Sequence, residues 1–475
     1  MRAILVIAGV ALAGCALQTP PTHTVVVEQA LPQETHIPPA WRADPRGAEV
    51  TNDWLKSFND PALEAIVAEA IANNLDLRAA ATKVAIAQQA VVVVGSQMLP
   101  HVGAVLGART TRDEDHDSSF NSTDAYVGVA WEPDVWGRLR AQRAAAEAGY
   151  EATALDYAYA RQSLAATTAK LWYLAIETRQ IVALSEQAVR VYSDLLALVQ
   201  IRRSAGKDSD LDVVDVRAKL ETAQSAVEHA RASFGEARRA LETLLGRYPA
   251  AEIGVAAVYP ALPPLGGTGV PSALLDRRPD LLAAERQVLA AFRREESAKL
   301  ALLPEFSFSL VGGRLGDQVL SLLSLNPWLA SAGIGVSIPI YEGGALRAKV
   351  EIATAQQAQA VAGYGSVVLT AFREVENSMA NEQLLALQLP LEQKALDDRT
   401  EAVRIASIQY KAGRRDLLWV AQLQAAQLAT EANLIKLRSA QRANRVRLHQ
   451  VLGGSFDATP AVTLTMTLSM TSPAR

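Results

Sequence analysis

Apolar and small or polar residues alternate along four short stretches of this chain. Val102, Ala104, Leu106 and Ala108 alternate with His101, Gly103 and Gly107, broken only by apolar Val105. Ala125, Val127, Val129 and Trp131 alternate with Asp124, Tyr126, Gly128 and Ala130. Phe306, Phe308 and Leu310 alternate with Ser307 and Ser309, and Ile334, Val336, Ile338 and Ile340 with Gly333, Gly335, Ser337 and Pro339. A period of two predicts β-strands with one oily and one small or polar face, in hairpins near 100–133 and 304–341.

Elsewhere the apolar steps are three and four. After Asn59-Asp60-Pro61 a helical pattern runs to about Met98, where Pro100 ends it. Residues 138–204 hold no proline and one glycine, with a stripe at Leu155, Tyr159, Ala166, Ala169, Tyr173 and Ile176. A single helix of that length would reach ~100 Å at 1.5 Å per residue, more than a compact domain holds. Ala205-Gly206-Lys207-Asp208 stops it, and a shorter helix returns from Leu211 to Leu245. Later, helices are expected from Pro271 to Leu302, from about Gly344 to Ala412, and from Asp416 to Leu452.

The two sets are copies. Gly128-Val-Ala-Trp-Glu-Pro-Asp-Val-Trp-Gly-Arg-Leu-Arg-Ala141 lies 207 residues before Gly335-Val-Ser-Ile-Pro-Ile-Tyr-Glu-Gly-Gly-Ala-Leu-Arg-Ala348, with six of fourteen positions identical. Composition alone would give roughly one. Ala205-Gly206 and Leu245-Gly246 recur at the same spacing, whereas Asp76-Leu77 and Leu99-Pro100 recur at 204. Two long copies suit a pseudo-symmetric subunit rather than a solenoid. Repeat 1 is placed at 53–246, a connector rich in proline at 247–271, repeat 2 at 272–455 and a tail at 456–475.

By pattern alone the strands could be soluble hairpins packed on helices or membrane strands, whose usual length is about ten residues. Gln318 to Tyr341 carries no charge, but Pro327, Pro339 and the glycines argue against a membrane helix there. Residues 1–14 bear on the choice. Arg2, the apolar run Ala3–Ala11 and Leu12-Ala13-Gly14-Cys15 read as an export signal ending in a lipoprotein box, with Cys15 acylated. Cys15 is the one cysteine of the chain, which excludes an internal disulfide. Residues 15–52, with six prolines, then read as a lipidated extended tether. In lipid, four strands cannot close a barrel, and open edges are not tolerated. Two chains would give eight strands and a filled interior; three give twelve and a lumen.

Net charge is −4 with both signs interspersed, so no nucleic-acid surface is expected. The histidines at 23, 36, 101, 116, 229 and 449 have no paired ligand spacing, and no nucleotide cradle or nucleophile motif is found. No enzyme, cofactor or metal is expected. His116, within Arg112-Asp-Glu-Asp-His-Asp117, reads as part of a solvated loop.

Leu274-Leu-Asp-Arg-Arg-Pro-Asp-Leu-Leu-Ala-Ala-Glu285, with Leu303-Pro304, resembles a hallmark of the TolC family of outer-membrane efflux channels. The likeness is greatest to its lipoprotein (NodT-type) branch, which serves resistance-nodulation-division pumps. Trp54-Leu-Lys-Ser-Phe-Asn-Asp-Pro-Ala-Leu63, Asn74-Leu-Asp-Leu77 and Trp131-Glu-Pro-Asp-Val-Trp-Gly137 resemble the same family's first repeat. The resemblance implies a mainly α fold with membrane β: a long α-helical barrel, and four strands per chain in a homotrimer's twelve-stranded barrel. It further implies a periplasmic adaptor, an inner-membrane pump, and passive gated efflux of small molecules through the outer membrane. Gate and adaptor contacts are implied at two turns, Gly206, Lys207 and Asp208 with Asp212 and Asp215, and Gly413, Arg414, Arg415 and Asp416. Those charges either pair between subunits to hold an aperture shut or are ordinary helix caps. The family's acidic rings fall at Trp419 and Gln422 here, a departure that leaves both readings open. A duct for secreted polypeptides and a non-conducting envelope lipoprotein are the competing functions.

Overall fold

The computed structural model describes residues 17–44, 47–113, 118–317 and 328–458. Cys15, most of the His116 cluster and the tail beyond 458 lie outside them. The first copy contains α1 (His23–Ala30), α2 (Trp54–Ser57), α3 (Pro61–Asn73), α4 (Leu75–Ser96), β1 (His101–Asp113), β2 (Ser118–Trp131), α5 (Arg138–Ser204) and α6 (Asp210–Leu244). The second contains α7 (Pro271–Leu274), α8 (Pro279–Leu300), β3 (Glu305–Asp317), β4 (Trp328–Ser337), α9 (Ala345–Lys411) and α10 (Leu417–Val451). The duplication holds element by element. α5 and α9 each have 67 residues, α6 and α10 each 35, and α4 and α8 each 22.

The chain divides into two compact units. One comprises Met1–Thr35, Thr82–Leu155 and Leu281–Val367, the other His36–Ala81, Asp156–Asp280 and Val368–Arg475. The first unit holds the sheet, an antiparallel meander in the order β1-β2-β3-β4. The second holds the largest apolar core, where Trp54, Phe58, Leu63, Trp172, Tyr173, Ile176 and Leu241 are buried. Four members of the stripe expected on α5, Ala166, Ala169, Tyr173 and Ile176, lie in that core. Alanine lets the helices approach closely there, while the few aromatic rings supply most of the apolar area.

Three expectations need correction. The helix expected to run unbroken to Met98 divides at Asn74, which takes extended backbone (ψ 128°) and whose Oδ1 accepts the Leu77 N–H at 2.9 Å. The helix expected from Pro271 to Leu302 divides before Pro279, which disfavours helical backbone at the residue preceding it. Residues 17–44 and 47–52 are docked rather than a free extended tether. α1 buries Val26; Trp41 is 3% exposed, packs edge-on against Phe372 and donates Nε1–H to the Thr268 carbonyl at 3.0 Å. Glu376 accepts the N–H groups of Arg42 and Ala43, both at 2.9 Å. The prolines do limit helix there, but buried apolar side chains set the path.

The family-like motifs close helix ends. Asp60 Oδ1 accepts Leu63 N–H at 3.1 Å at the start of α3, while its Oδ2 accepts Trp172 Nε1–H at 2.9 Å. Asn74 Nδ2 donates to the Leu244 carbonyl at 3.1 Å, at the last residue of α6. Its counterpart in the second copy, Arg278, donates Nη1–H to the Val451 carbonyl at 3.3 Å, at the last residue of α10. The contact survived duplication although the residue changed. Arg278 also grips Asp280 with two bonds, 3.0 and 2.8 Å, and reaches Glu374 at 3.0 Å. Burial alone would lower its pKa, but these carboxylates raise it above the usual value.

The connector has no regular structure yet is firmly held. The buried Glu242 carboxylate accepts N–H groups of Ala251, Glu252 and Ile253 at 2.6–2.8 Å. Burial opposes its charge, but these three donors hold its pKa below the usual range.

His449 stacks on Trp54, centroids 5.9 Å apart, with Phe58 edge-on at 6.2 Å. Burial, and next the positive charge of Arg445, push its pKa down from 6.5 to about 4. The unfolded chain therefore binds a proton in that window that the folded chain refuses. Stability should fall as pH drops from about 6.5 to 4, by up to about 3 kcal/mol from this group. Melting the wild type and His449→Phe at pH 7 and pH 5 checks this. The variant should lose less melting temperature; an equal loss would place the pH sensitivity elsewhere.

Candidate functional site

The first part of the site is the sheet. Its register pairs His101 with Ala130, Val129 with Leu310 and Phe308 with Ile334. One face therefore carries Val102, Leu106, Val127, Val129, Trp131, Phe308, Leu310, Ile334 and Val336. Leu106 and Ile334 are 85% and 82% exposed, so this face has no cover within the chain. The other face is small: ideal Cβ atoms on Gly333 and Gly335 would crowd Ser309 and Ser307 Oγ at 2.9 and 2.6 Å. An exposed oily face of this extent suits lipid and not water.

Below the strands, Asp134 receives the Leu139 and Arg140 N–H groups at 3.1 and 2.9 Å and starts α5. Trp136 Nε1 donates to the Pro304 carbonyl at 2.8 Å, and Trp131 Nε1 to the Met98 carbonyl at 3.0 Å. Gly137 and Gly344 take φ of +89° and +86° at the same step of the two copies, a region that favours glycine.

The second part is the pair of helical turns in the other unit. Gly206 (φ +71°) and Gly413 (φ +72°) stop α5 and α9. At each, the next N–H reaches back a turn, Lys207 to the Arg202 carbonyl and Arg414 to the Gln409 carbonyl, both 2.9 Å. One cluster links the turns. Arg202 Nε donates to both Asp208 oxygens at 3.1 and 2.9 Å, and the Tyr410 hydroxyl donates to Asp208. The Arg202 guanidinium lies 4.3 Å over the Tyr410 ring and reaches the Tyr410 carbonyl at 3.2 Å. Tyr410 is 1% exposed. Burial, then its bond to the Asp208 carboxylate, raises the Tyr410 pKa, so its O–H stays a donor at any physiological pH.

Residues 66–247 and 270–454 match the profile of a family described as outer membrane efflux protein. The chain belongs to that family. Among curated relatives, it is 28% identical to the pyoverdine export outer membrane protein OpmQ of Pseudomonas putida, covering 94% of this chain and 96% of OpmQ. It is equally similar, at 28%, to the toluene efflux pump outer membrane protein TtgF of Pseudomonas putida, over 94% of this chain and 95% of TtgF. Among solved structures, the outer-membrane channel OprN superposes with TM-score 0.80 at 25% identity, over 93% of this chain and 98% of OprN. The open state of the Neisseria gonorrhoeae MtrE channel shares the fold, TM-score 0.80 at 22% identity, over 94% and 99%.

The outer membrane efflux protein brings together only part of the residue set singled out at the turns. Asp208 is in the linking cluster. Asp212 forms a capping box with Ser209, accepting its N–H at 2.8 Å and returning its own N–H to Ser209 Oγ at 3.2 Å. Asp215 pairs with Lys219 on the same helix. Asp416 caps α10 through Trp419 N–H at 3.1 Å, and Arg415 lies 5.4 Å over the Trp419 ring. Lys207 and Arg414 are exposed, and their side chains make no ion pair among the described residues.

Reading turn residues alone missed Arg202 and Tyr410, which lie one helical step inside them. Tyr410 carried a signal: a tyrosine three residues before the stop glycine of a helix whose end is otherwise polar.

Proposed function

We propose that this efflux protein is the exit duct of a tripartite pump: a homotrimer whose subunits share one twelve-stranded barrel and continue as a helical tunnel. The observation that carries the reading is the open-edged, oily-faced sheet of four strands in a chain of this family. An exposed stripe on α9, at Leu384, Leu387, Leu391, Ile405 and Ile408, supports neighbours along the helices too. Relatives are named for pyoverdine, toluene and cations, chemistries too different for one binding pocket. A passive conduit for small molecules, with a resistance-nodulation-division pump and a periplasmic adaptor supplying energy and selection, accommodates all three.

The Arg202–Asp208–Tyr410 cluster is the element that holds the narrow end closed, with Lys207, Arg414 and Arg415 left outside for a neighbouring subunit or adaptor. Cys15 carries the lipid anchor in the outer membrane. Leu17 packs by Gly137, and Gln18 is held by Glu296 and Arg293 at 2.6 and 2.8 Å, which supports an anchored start. Purified protein in planar bilayers should give discrete ion conductance; a protein that conducts nothing and washes off membranes with urea would overturn the duct. In cells fed labelled palmitate, Cys15→Ala should lose the label entirely. Retained label would remove the anchor.

A further inference from the structure

β1 and β4 are the two edges of the sheet. The oily alternation of β4 was expected to reach Ile340, but the strand ends at Ser337. The reason is local. Ser337 lies opposite Glu305, the first residue of β3, and Pro304 before it has no N–H to continue the ladder. Ile338, Ile340 and Tyr341 are left 60%, 93% and 87% exposed. They need a partner that β3 cannot supply.

The duplication says which one, and in what register. β1 maps onto β3 with an offset of 204 residues, and β2 onto β4 with 207. Applied to the pair His101–Ala130, these offsets give Glu305–Ser337, which is the pairing observed. The same mapping carries the β2–β3 seam onto a seam between β4 and a β1 from another copy. Val129–Leu310, Val127–Gly312 and Trp131–Phe308 are the pairs it starts from.

Resting on the trimer reading above, we propose that β4 pairs antiparallel with β1 of a second copy in this transferred register. Val336 then lies opposite Leu106 of the partner subunit, Ile334 opposite Ala108 of the partner subunit, and Ile338 opposite Ala104 of the partner subunit. Two residues farther, Ile340 meets Val102 of the partner subunit, so the exposed run beyond Ser337 gains its ladder. All four pairs are on the oily face. A slip of one residue would turn one strand's oily face inward, so only even slips compete, and the shared offsets select among them.

Disulfide trapping in the full-length protein, in outer membranes, tests the register. Val336→Cys with Leu106→Cys should give a covalent trimer on non-reducing gels, as should Ile334→Cys with Ala108→Cys if the first pair folds poorly. Val336→Cys with Ala104→Cys, or with Ala108→Cys, places diagonal positions roughly 7–8 Å apart. That exceeds comfortable disulfide reach, so several-fold less trimer should form. Single-cysteine variants control for Cys15. Preferential trapping of a slipped pair overturns the register. A native trimer in which neither matched pair crosslinks overturns it as well, while leaving the trimer intact. A monomer would overturn the shared barrel itself, and the register with it.

Discussion

Tyr410→Phe is expected to leave the protein folded and trimeric but to raise its resting conductance in planar bilayers. The substitution removes one O–H from the charged cluster that joins the first turn to the end of α9. Asp208→Asn should act more strongly, because both Arg202 and Tyr410 lose a charged acceptor. Charge-assisted bonds of this kind contribute about 1.5–3 kcal/mol each. A loss of about 1–2 kcal/mol shifts a closed–open balance roughly 5–30-fold. The cluster is nearly dry, with side chains of Arg202 and Asp208 14% and 7% exposed, so solvent screening reduces the effect little. Asp212→Asn, which weakens a cap without touching the cluster, serves as control. Unchanged conductance in both Tyr410→Phe and Asp208→Asn would show that the cluster is structural support and not the closure.

Glu382→Gln should be the most destabilising polar substitution in the chain. Glu382 on α9 faces Arg445 and Asn444 on α10, and the two charged side chains are 9% and 6% exposed. Arg445 Nε and Nη2 both donate to one Glu382 oxygen, and Asn444 Nδ2 donates to the other at 2.9 Å. Arg445 also donates to the Pro263 carbonyl at 2.5 Å, which ties the connector to the same knot. Neutralising Glu382 strands a buried guanidinium, a loss of about 3–5 kcal/mol, whereas replacing both partners by apolar residues is often near neutral. Thermal unfolding of Glu382→Gln beside the pair Glu382→Leu with Arg445→Met measures both. The double variant should recover most of the lost stability; a single variant as stable as wild type would refute the buried-pair argument.

Much of this architecture could be read from residue order, because it rests on local periodicity and on duplication. The four strands followed from alternation at a period of two, and the long helices from uninterrupted stretches closed by Gly206 and Gly413. Where local rules conflict with packing, the reading failed. Six prolines in residues 15–52 argued for a tether, yet Val26, Leu31 and Trp41 bury themselves and hold the segment down. Asn74 and Pro279 each divide a helix that apolar periodicity alone would have joined. The turn charges were visible as a set, but not their division of labour. Asp212 and Asp416 satisfy helix ends, a local matter, whereas Asp208 is claimed by Arg202 and by Tyr410, more than two hundred residues away.

The amino-acid order by itself determined the repeat, the element types, the family and the oily strand face, since each is written in spacings of a few residues or in copied words. Only the tertiary structure decided which polar groups meet across the fold: Asp208 with Tyr410, Glu382 with Arg445, Arg278 with the last carbonyl of α10. Such partners are chosen by burial. A charge removed from water must find whatever donor or acceptor the packing brings near, however distant along the chain.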